Sequence, residues 1–118
     1  MTADVSHNAS WLSPDRPVPD IRTALPGPKA QAVLERDAVV TSPSLPRVYP
    51  LVPNRASGSV IEDVDGNLFL DFNAGIAVTS TGHCHPRVVE AVCSQAEQLL
   101  HYSASDSTCR STRRCAKP

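Results

Sequence analysis

SVIEDVDGNLFLDFNAGIAVTSTGHCHPRVVEAVCSQAEQLLHY, residues Ser59–Tyr102, sets out a hairpin, a Gly-bearing loop and a helix in that order. Ser59–Val64 and Asn67–Phe72 are short runs rich in Val, Ile, Leu and Phe. Asp65-Gly66 separates them, and this pair tolerates the positive φ angles of a tight hairpin turn. A two-residue loop sets Ile61 opposite Leu70, with Leu68 and Phe72 on the same face and Glu62 and Asp71 on the other. A three-residue loop slips the register and reassigns those faces.

Beyond the hairpin, Gly75 and Gly82 bracket a small apolar run, which predicts a loop with unusual backbone angles or a close approach by another group. Pro86 suits the first turn of a helix, where its missing N–H has no partner to lose. Val89, Val92, Cys93, Ala96, Leu99 and Leu100 then recur near helical spacing, so an amphipathic helix is expected over Pro86–His101. Upstream, Leu25-Pro26-Gly27-Pro28 is a turn that feeds a short helix at Pro28–Asp37, with Ala30, Val33 and Leu34 as its apolar side. Thr41–Pro53 carries Pro43, Pro46, Pro50 and Pro53 and reads as an extended connection. Residues 1–24 are polar and broken by Pro14, Pro17 and Pro19, and are expected to form a disordered tail.

The 118 residues carry a formal net charge of −1, with 41% hydrophobic and 4% aromatic residues, which bounds the chain to one modest domain. No apolar run approaches the roughly 20 residues of a membrane span, and no basic-then-apolar leader opens the chain, so a cytoplasmic protein is expected. Cys84, Cys93, Cys109 and Cys115 contain no CxxC pair and are expected as reduced thiols. No GxGxxG, P-loop or nucleophile elbow occurs.

Glu62-Asp63-Val64-Asp65-Gly66-Asn67, then Leu70-Asp71-Phe72, Ala74-Gly75-Ile76 and Gly82-His83-Cys84-His85-Pro86, together resemble the N-terminal signature of the class III pyridoxal-phosphate-dependent aminotransferases, in the style of the 4-aminobutyrate and ornithine branches. The resemblance covers Leu25 to Asp106 and rests on several motifs in the right order. It implies an α+β segment of short helix, β-hairpin and amphipathic helix, belonging to the small domain (residues 25–106) of an α/β transferase of fold type I. The chemistry it implies is transfer of an amino group from an amino acid or ω-amino acid to a 2-oxo acid by a homodimer, with pyridoxal 5'-phosphate as electron sink on one lysine. Amino-acid racemases of similar N-terminal style use the same cofactor, so racemisation stays open beside transamination.

That lysine, the acidic partner of the cofactor ring and the phosphate-binding loop all follow the resembled stretch in the family. Only Lys29 and Lys117 are present here, neither in the lysine motif. The chain is therefore expected to be an N-terminal portion that neither binds the cofactor nor turns over by itself, with no catalytic or cofactor-binding residue of its own. Two positions carry over as substrate-pocket wall: Ile76, from the Gly-Ile-Ala-Val segment, and Ser105, where the 4-aminobutyrate branch has Gln. The Ser105 departure leaves the substrate class open.

His83-Cys84-His85 offers ligand types that zinc favours, but neighbouring loop residues seldom all face one centre, and backbone geometry is the expected role. Asp63, Asp65 and Asp71 lack the loop length and terminal Glu of an EF-hand, so no metal is expected. After Asp106 the resemblance stops. Ser107–Pro118, STCRSTRRCAKP, has four basic residues and no acidic one. A solvated tail and a nucleic-acid-contacting tail on a small non-enzymatic interaction protein are two readings. A third is loss of one nucleotide after the Asp106 codon: the tail can be encoded so that one added T reads Phe-Tyr-Leu-Pro-Ile-Tyr-Ala-Glu-Met-Cys-Glu-Ala, the aromatic-then-helical continuation the family shows. The last reading is the leading one, and under it no nucleic-acid or membrane partner is expected.

Overall fold

The computed structural model describes residues 9–45 and 47–103. It divides into two compact units, residues 1–85 and 86–118. Its elements are α1 (Pro28–Val40), β1 (Pro53–Ser57), β2 (Val60–Asp63), β3 (Leu68–Leu70), α2 (Ala74–Ala77) and α3 (Pro86–Ala96).

The hairpin forms at Asp65-Gly66, but with a three-residue loop. Val60 pairs with Leu70, Ile61 with Phe69 and Glu62 with Leu68. Ile61 is thus not opposite Leu70: of the two loop lengths the sequence leaves open, the three-residue one forms, and the faces slip by one position. The cause is Asp63. Its Oδ1 accepts the amides of Asp65 (2.9 Å) and Asn67 (2.8 Å), and its own amide donates to the Asn67 carbonyl (3.0 Å). Gly66, at φ 86, supplies the left-handed residue that ends a loop of this length. Glu62 and Leu68 then share a face, and both are buried, Glu62 beside Arg55 of β1.

A strand absent from the sequence reading completes the sheet. β1 pairs antiparallel with β2, giving the order β1-β2-β3. The expected connection therefore ends at Pro53, where PNRAS enters the sheet. Its polar composition shows no alternation, and its pairing comes from the Gly58-Ser59 link, whose first residue has φ 56 as a tight hairpin turn of the II′ kind requires.

The N-terminal segment departs from the disorder expected of it, as far as residues 9–24 are concerned; residues 1–8 lie outside the described ones. Asp20 and Leu68 exchange backbone hydrogen bonds (3.0 and 2.9 Å), so Asp20 extends the sheet past β3. Arg16 donates to Asp20 Oδ2 (2.5 Å) and to the Gly66 carbonyl (2.6 Å). Asn67 is the tie point. Its Oδ1 accepts the amides of Arg22 (2.6 Å) and Thr23 (3.1 Å), while its Nδ2 donates to Thr23 Oγ1 (2.9 Å) and Asp63 Oδ2 (2.7 Å).

Among the described residues the buried apolar side chains are Ala30 and Leu68, and the buried polar ones are Glu62, Asp63 and Asn67. A satisfied polar network, rather than a large apolar core, holds this unit together.

Helix α1 begins at Pro28, as its fixed φ favours, and runs to Val40, three residues past the expected end. Gly27 offers no side-chain cap. The cap comes from the hairpin loop: Asp65 accepts the amides of Lys29 (2.9 Å) and Ala30 (2.8 Å). A carboxylate there also meets the positive end of the helix dipole. A Cβ at Gly27 would overlap the Asp65 carboxylate, so the glycine makes room for the cap. Ala30 is buried and Val33 and Leu34 half-buried, the expected apolar side. The extension past Asp37 follows from Thr41, which donates its amide to the Asp37 carbonyl (2.8 Å) and its hydroxyl to Asp37 Oδ1 (2.6 Å) before the chain turns extended.

The second unit holds α3. It starts at Pro86 as expected but ends at Ala96, not His101. The glutamine side chains divert the end: Gln95 Nε2 donates to the Leu99 carbonyl (3.0 Å) and Gln98 Nε2 to the Ser94 carbonyl (3.1 Å), closing a turn instead of another helical repeat.

Two substitutions test this account. Asn67→Ala leaves the Arg22 and Thr23 amides without their acceptor and is expected to cost about 2–4 kcal/mol in denaturant unfolding of the chain. Asp65→Ala removes the cap of α1 and is expected to cost about 1–2 kcal/mol, with loss of helical circular dichroism; unchanged ellipticity and stability would show that the cap is incidental.

Candidate functional site

β3 delivers the chain to Asp71, whose amide donates to the Ser59 carbonyl (2.8 Å). Its side chain then organises everything up to His83. Asp71 Oδ1 accepts the amides of Asn73 (2.9 Å) and Ala74 (2.9 Å), the Asx arrangement that a short carboxylate makes with the backbone just after it. Asp71 Oδ2 lies 2.6 Å from His83 Nε2, which donates with its proton on that nitrogen. The His83 bond, above all, holds the Asp71 carboxyl below the usual carboxylate range; burial pushes the other way, and the amides of Ala74 and Asn73 add to the lowering.

His83 is fastened by its main chain as well. Its amide donates to the Gly58 carbonyl (2.8 Å), and the Gly58 amide donates to the His83 carbonyl (3.0 Å). Gly82, at φ 84, passes so close that a Cβ on it would lie 3.1 Å from Gly58 Cα. Both glycines that the sequence marks for unusual angles or close approach are used that way, Gly82 for both reasons at once.

Between these two posts the chain makes the single turn α2. Ala74, Gly75, Ile76 and Ala77 have φ values of 48, 61, 62 and 61. Gly75 and Ile76 are left-handed in ψ as well. Each non-Gly residue there is opposed by roughly 1–2 kcal/mol, and a β-branched Ile is among the least suited. Its own amides are satisfied: Ala77 donates to Asn73 (3.0 Å), and Val78 and Thr79 both donate to Ala74 (2.9 Å each). Ile76 stands on this turn 83% exposed.

A cleft of 680 Å³ opens here, lined among others by Tyr49, Leu51, Arg55, Asp71, Gly75 and His83. Gly75 lines it and the adjacent Ile76 does not. Arg55, its cationic group, is already held by Glu62 and lies 4.6 Å from the Trp11 ring centre. A second cleft of 380 Å³ lies against Trp11, Arg55, Ser57 and Cys84. Lys29, the one described lysine, lines neither. Ser105, the other predicted wall position, lies outside the described residues, as do Cys109, Cys115 and the basic tail.

The His83-Cys84-His85 run is split three ways: His83 serves Asp71, Cys84 is exposed at φ 56, and His85 Nδ1 is buried with no partner. Among the described residues no group of three or more His, Cys, Asp or Glu is placed to hold a metal. The sequence reading missed the Asp71–His83 pair. The available signal was an Asp two residues before Asn73, the spacing of an Asx turn, but nothing local names the histidine 12 residues on.

Gly82→Ala is expected to cost about 1–3 kcal/mol more than Gly66→Ala in denaturant unfolding, since both sit near the same φ but only Gly82 meets backbone. Equal losses would mean that the approach to Gly58 is loose.

The family model described as Aminotransferase class-III matches residues 42–117, which include the whole sheet, the left-handed turn, His83 and α3, and the tail after Asp106 as well. An alanine/serine racemase of Pyrococcus horikoshii is 48% identical over 84 residues, 70% of this chain and 18% of that protein. A 4-aminobutyrate aminotransferase of Mycobacterium bovis is 43% identical over 79 residues, 67% of this chain and 18% of that one. The ornithine delta-aminotransferase of Plasmodium falciparum has the same fold over 73% of this chain and 22% of its own, with a TM-score of 0.66 at 23% identity. The chain thus spans about a fifth of the length of the relatives it matches. The chain belongs to the class III aminotransferase family.

Proposed function

We propose that this chain is the N-terminal portion of a pyridoxal-phosphate-dependent aminotransferase that moves an amino group from an amino acid or ω-amino acid, of the 4-aminobutyrate kind, to a 2-oxo acid, and that works as a homodimer in the cytoplasm. One observation carries the reading: the family match spans the strained turn on which Ile76 is held, the position that forms pocket wall in the resembled branch. Ser105 is the second proposed wall position. Among the described residues no helix is long and apolar enough to cross a membrane.

When bound, the cofactor supplies an electron sink for the reacting carbon. The described residues do not fit its attachment. Lys29 stands in the first turn of α1, with its backbone amide on Asp65, and lines neither cleft. No step is therefore assigned to the cofactor on this chain. Its own part is an apolar wall at Ile76 and the brace beneath it, and turnover by the isolated chain is not expected.

The identity to the Pyrococcus horikoshii racemase favours a second reading in which the parent racemises a small amino acid. The tail Ser107–Pro118 is proposed to be out of frame. Sequencing the gene across and beyond codon 106 is expected to uncover a frame with an aromatic-then-helical continuation and, further on, the family's lysine; absence of both from every frame would end the proposal. In the protein with that frame restored, 4-aminobutyrate and a 2-oxo acid are expected to be consumed together, and interconversion of L- and D-alanine without transfer selects the racemase. Ile76→Ala in that protein is expected to raise the amino donor's KM by roughly tenfold with kcat little changed.

A further inference from the structure

We propose that Asp71 and His83 form a positioning pair that sets the backbone of the left-handed turn carrying Ile76. The functional meaning of the pair, a fixed pocket wall, rests on the reading proposed above; its structural action does not.

Three features point to it. First, both carboxylate oxygens are committed, Oδ1 to the two amides that enter the turn and Oδ2 to the imidazole, so each set of bonds orients the carboxylate for the other. Second, the imidazole belongs to a residue whose own backbone is clamped in both directions to Gly58. The turn is therefore referenced to the β1–β2 link through the side chain of His83, not only through the chain between them. Third, three of the four residues at positive φ carry a Cβ, so the right-handed alternative is open to the backbone and something outside the turn must select against it.

Other charged or titratable groups on the same cleft do not compete. Arg55 of β1 is turned to Glu62 and Trp11, and Tyr49 comes from the connection before β1. The side chains of the pair are largely covered, Asp71 to 8% exposure and His83 to 21%. Because the folded Asp71 carboxyl is shifted downward, the pair's contribution is present above the ordinary carboxylate range and is lost as pH falls through the lower folded value.

The test is amide hydrogen exchange on the 118-residue chain, read as protection factors at Asn73 and Ala74, with Asn67, whose amide goes to Asp63, as internal reference. Asp71→Ala and His83→Phe are each expected to lower protection at Asn73 and Ala74 by roughly tenfold or more while Asn67 changes by about twofold at most. Asp71→Asn, which keeps one uncharged acceptor for the two amides but turns an N–H toward His83, is expected to restore protection only in part and to abolish its fall in acid. Unchanged protection in Asp71→Ala and His83→Phe, an equal fall at Asn67, or no protection at Asn73 and Ala74 in the unsubstituted chain each overturns the proposal. None of these readouts needs amino transfer, so the pair can fail while the aminotransferase reading stands, and the reverse.

Discussion

A single carboxamide, that of Asn67, carries more of this structure than any apolar side chain. It is fully buried and spends all four of its hydrogen-bonding directions: two amides of the N-terminal segment on its oxygen, Thr23 and Asp63 on its nitrogen. A buried polar group is costly when unpaired and specifying when fully paired, because no neighbouring register offers the same set of partners. Together with Asp63, it makes this loop the place where three features meet. The loop is held at three residues, which sets the faces of β2 and β3. The segment from Arg16 to Thr23 is drawn against the sheet. Asp65, displayed by the same loop, caps α1 from outside.

Asp71 repeats the device on a smaller scale, with a different outcome. Where Asp63 and Asn67 stabilise a turn that Gly66 already favours, Asp71 and His83 surround a turn that its residues disfavour. Strained backbone persists only where the surroundings over-determine it, and such places cluster at functional sites. The run of positive φ from Ala74 to Ala77 is such a place, and the proposed pocket-wall role of Ile76 gives it a purpose.

The apolar side chains tell a complementary story. Phe72, Ile76 and Val78, on and beside the left-handed turn, are 93%, 83% and 79% exposed, whereas Leu68 is fully buried. Large exposed apolar groups gathered around one loop are the usual mark of a surface that meets further protein or ligand. In a member of the class III aminotransferase family spanning about a fifth of its relatives' length, this exposure agrees with the proposed role as one edge of a larger enzyme.

Signals that act within a few residues were readable from the amino-acid order alone. Asp65-Gly66 marked the hairpin, Pro28 and Pro86 the starts of α1 and α3, and Gly75 with Gly82 the loop of unusual angles, because positive φ, a locked φ and a missing N–H are properties of the residue itself. The choice between the two loop lengths, the strand at Pro53–Ser57, the ordering of residues 9–24 and the Asp71–His83 pair were not readable. The ordering of the N-terminal segment, the pair and the cap of α1 depend on partners remote along the chain, 45 residues for Arg22 with Asn67, 12 for His83 with Asp71 and 36 for Lys29 with Asp65. A carboxylate or carboxamide can bond many backbone amides, and nothing local in Asp65 or Asn67 says that their partners lie on α1 and the N-terminal segment; packing of distant segments chose among them.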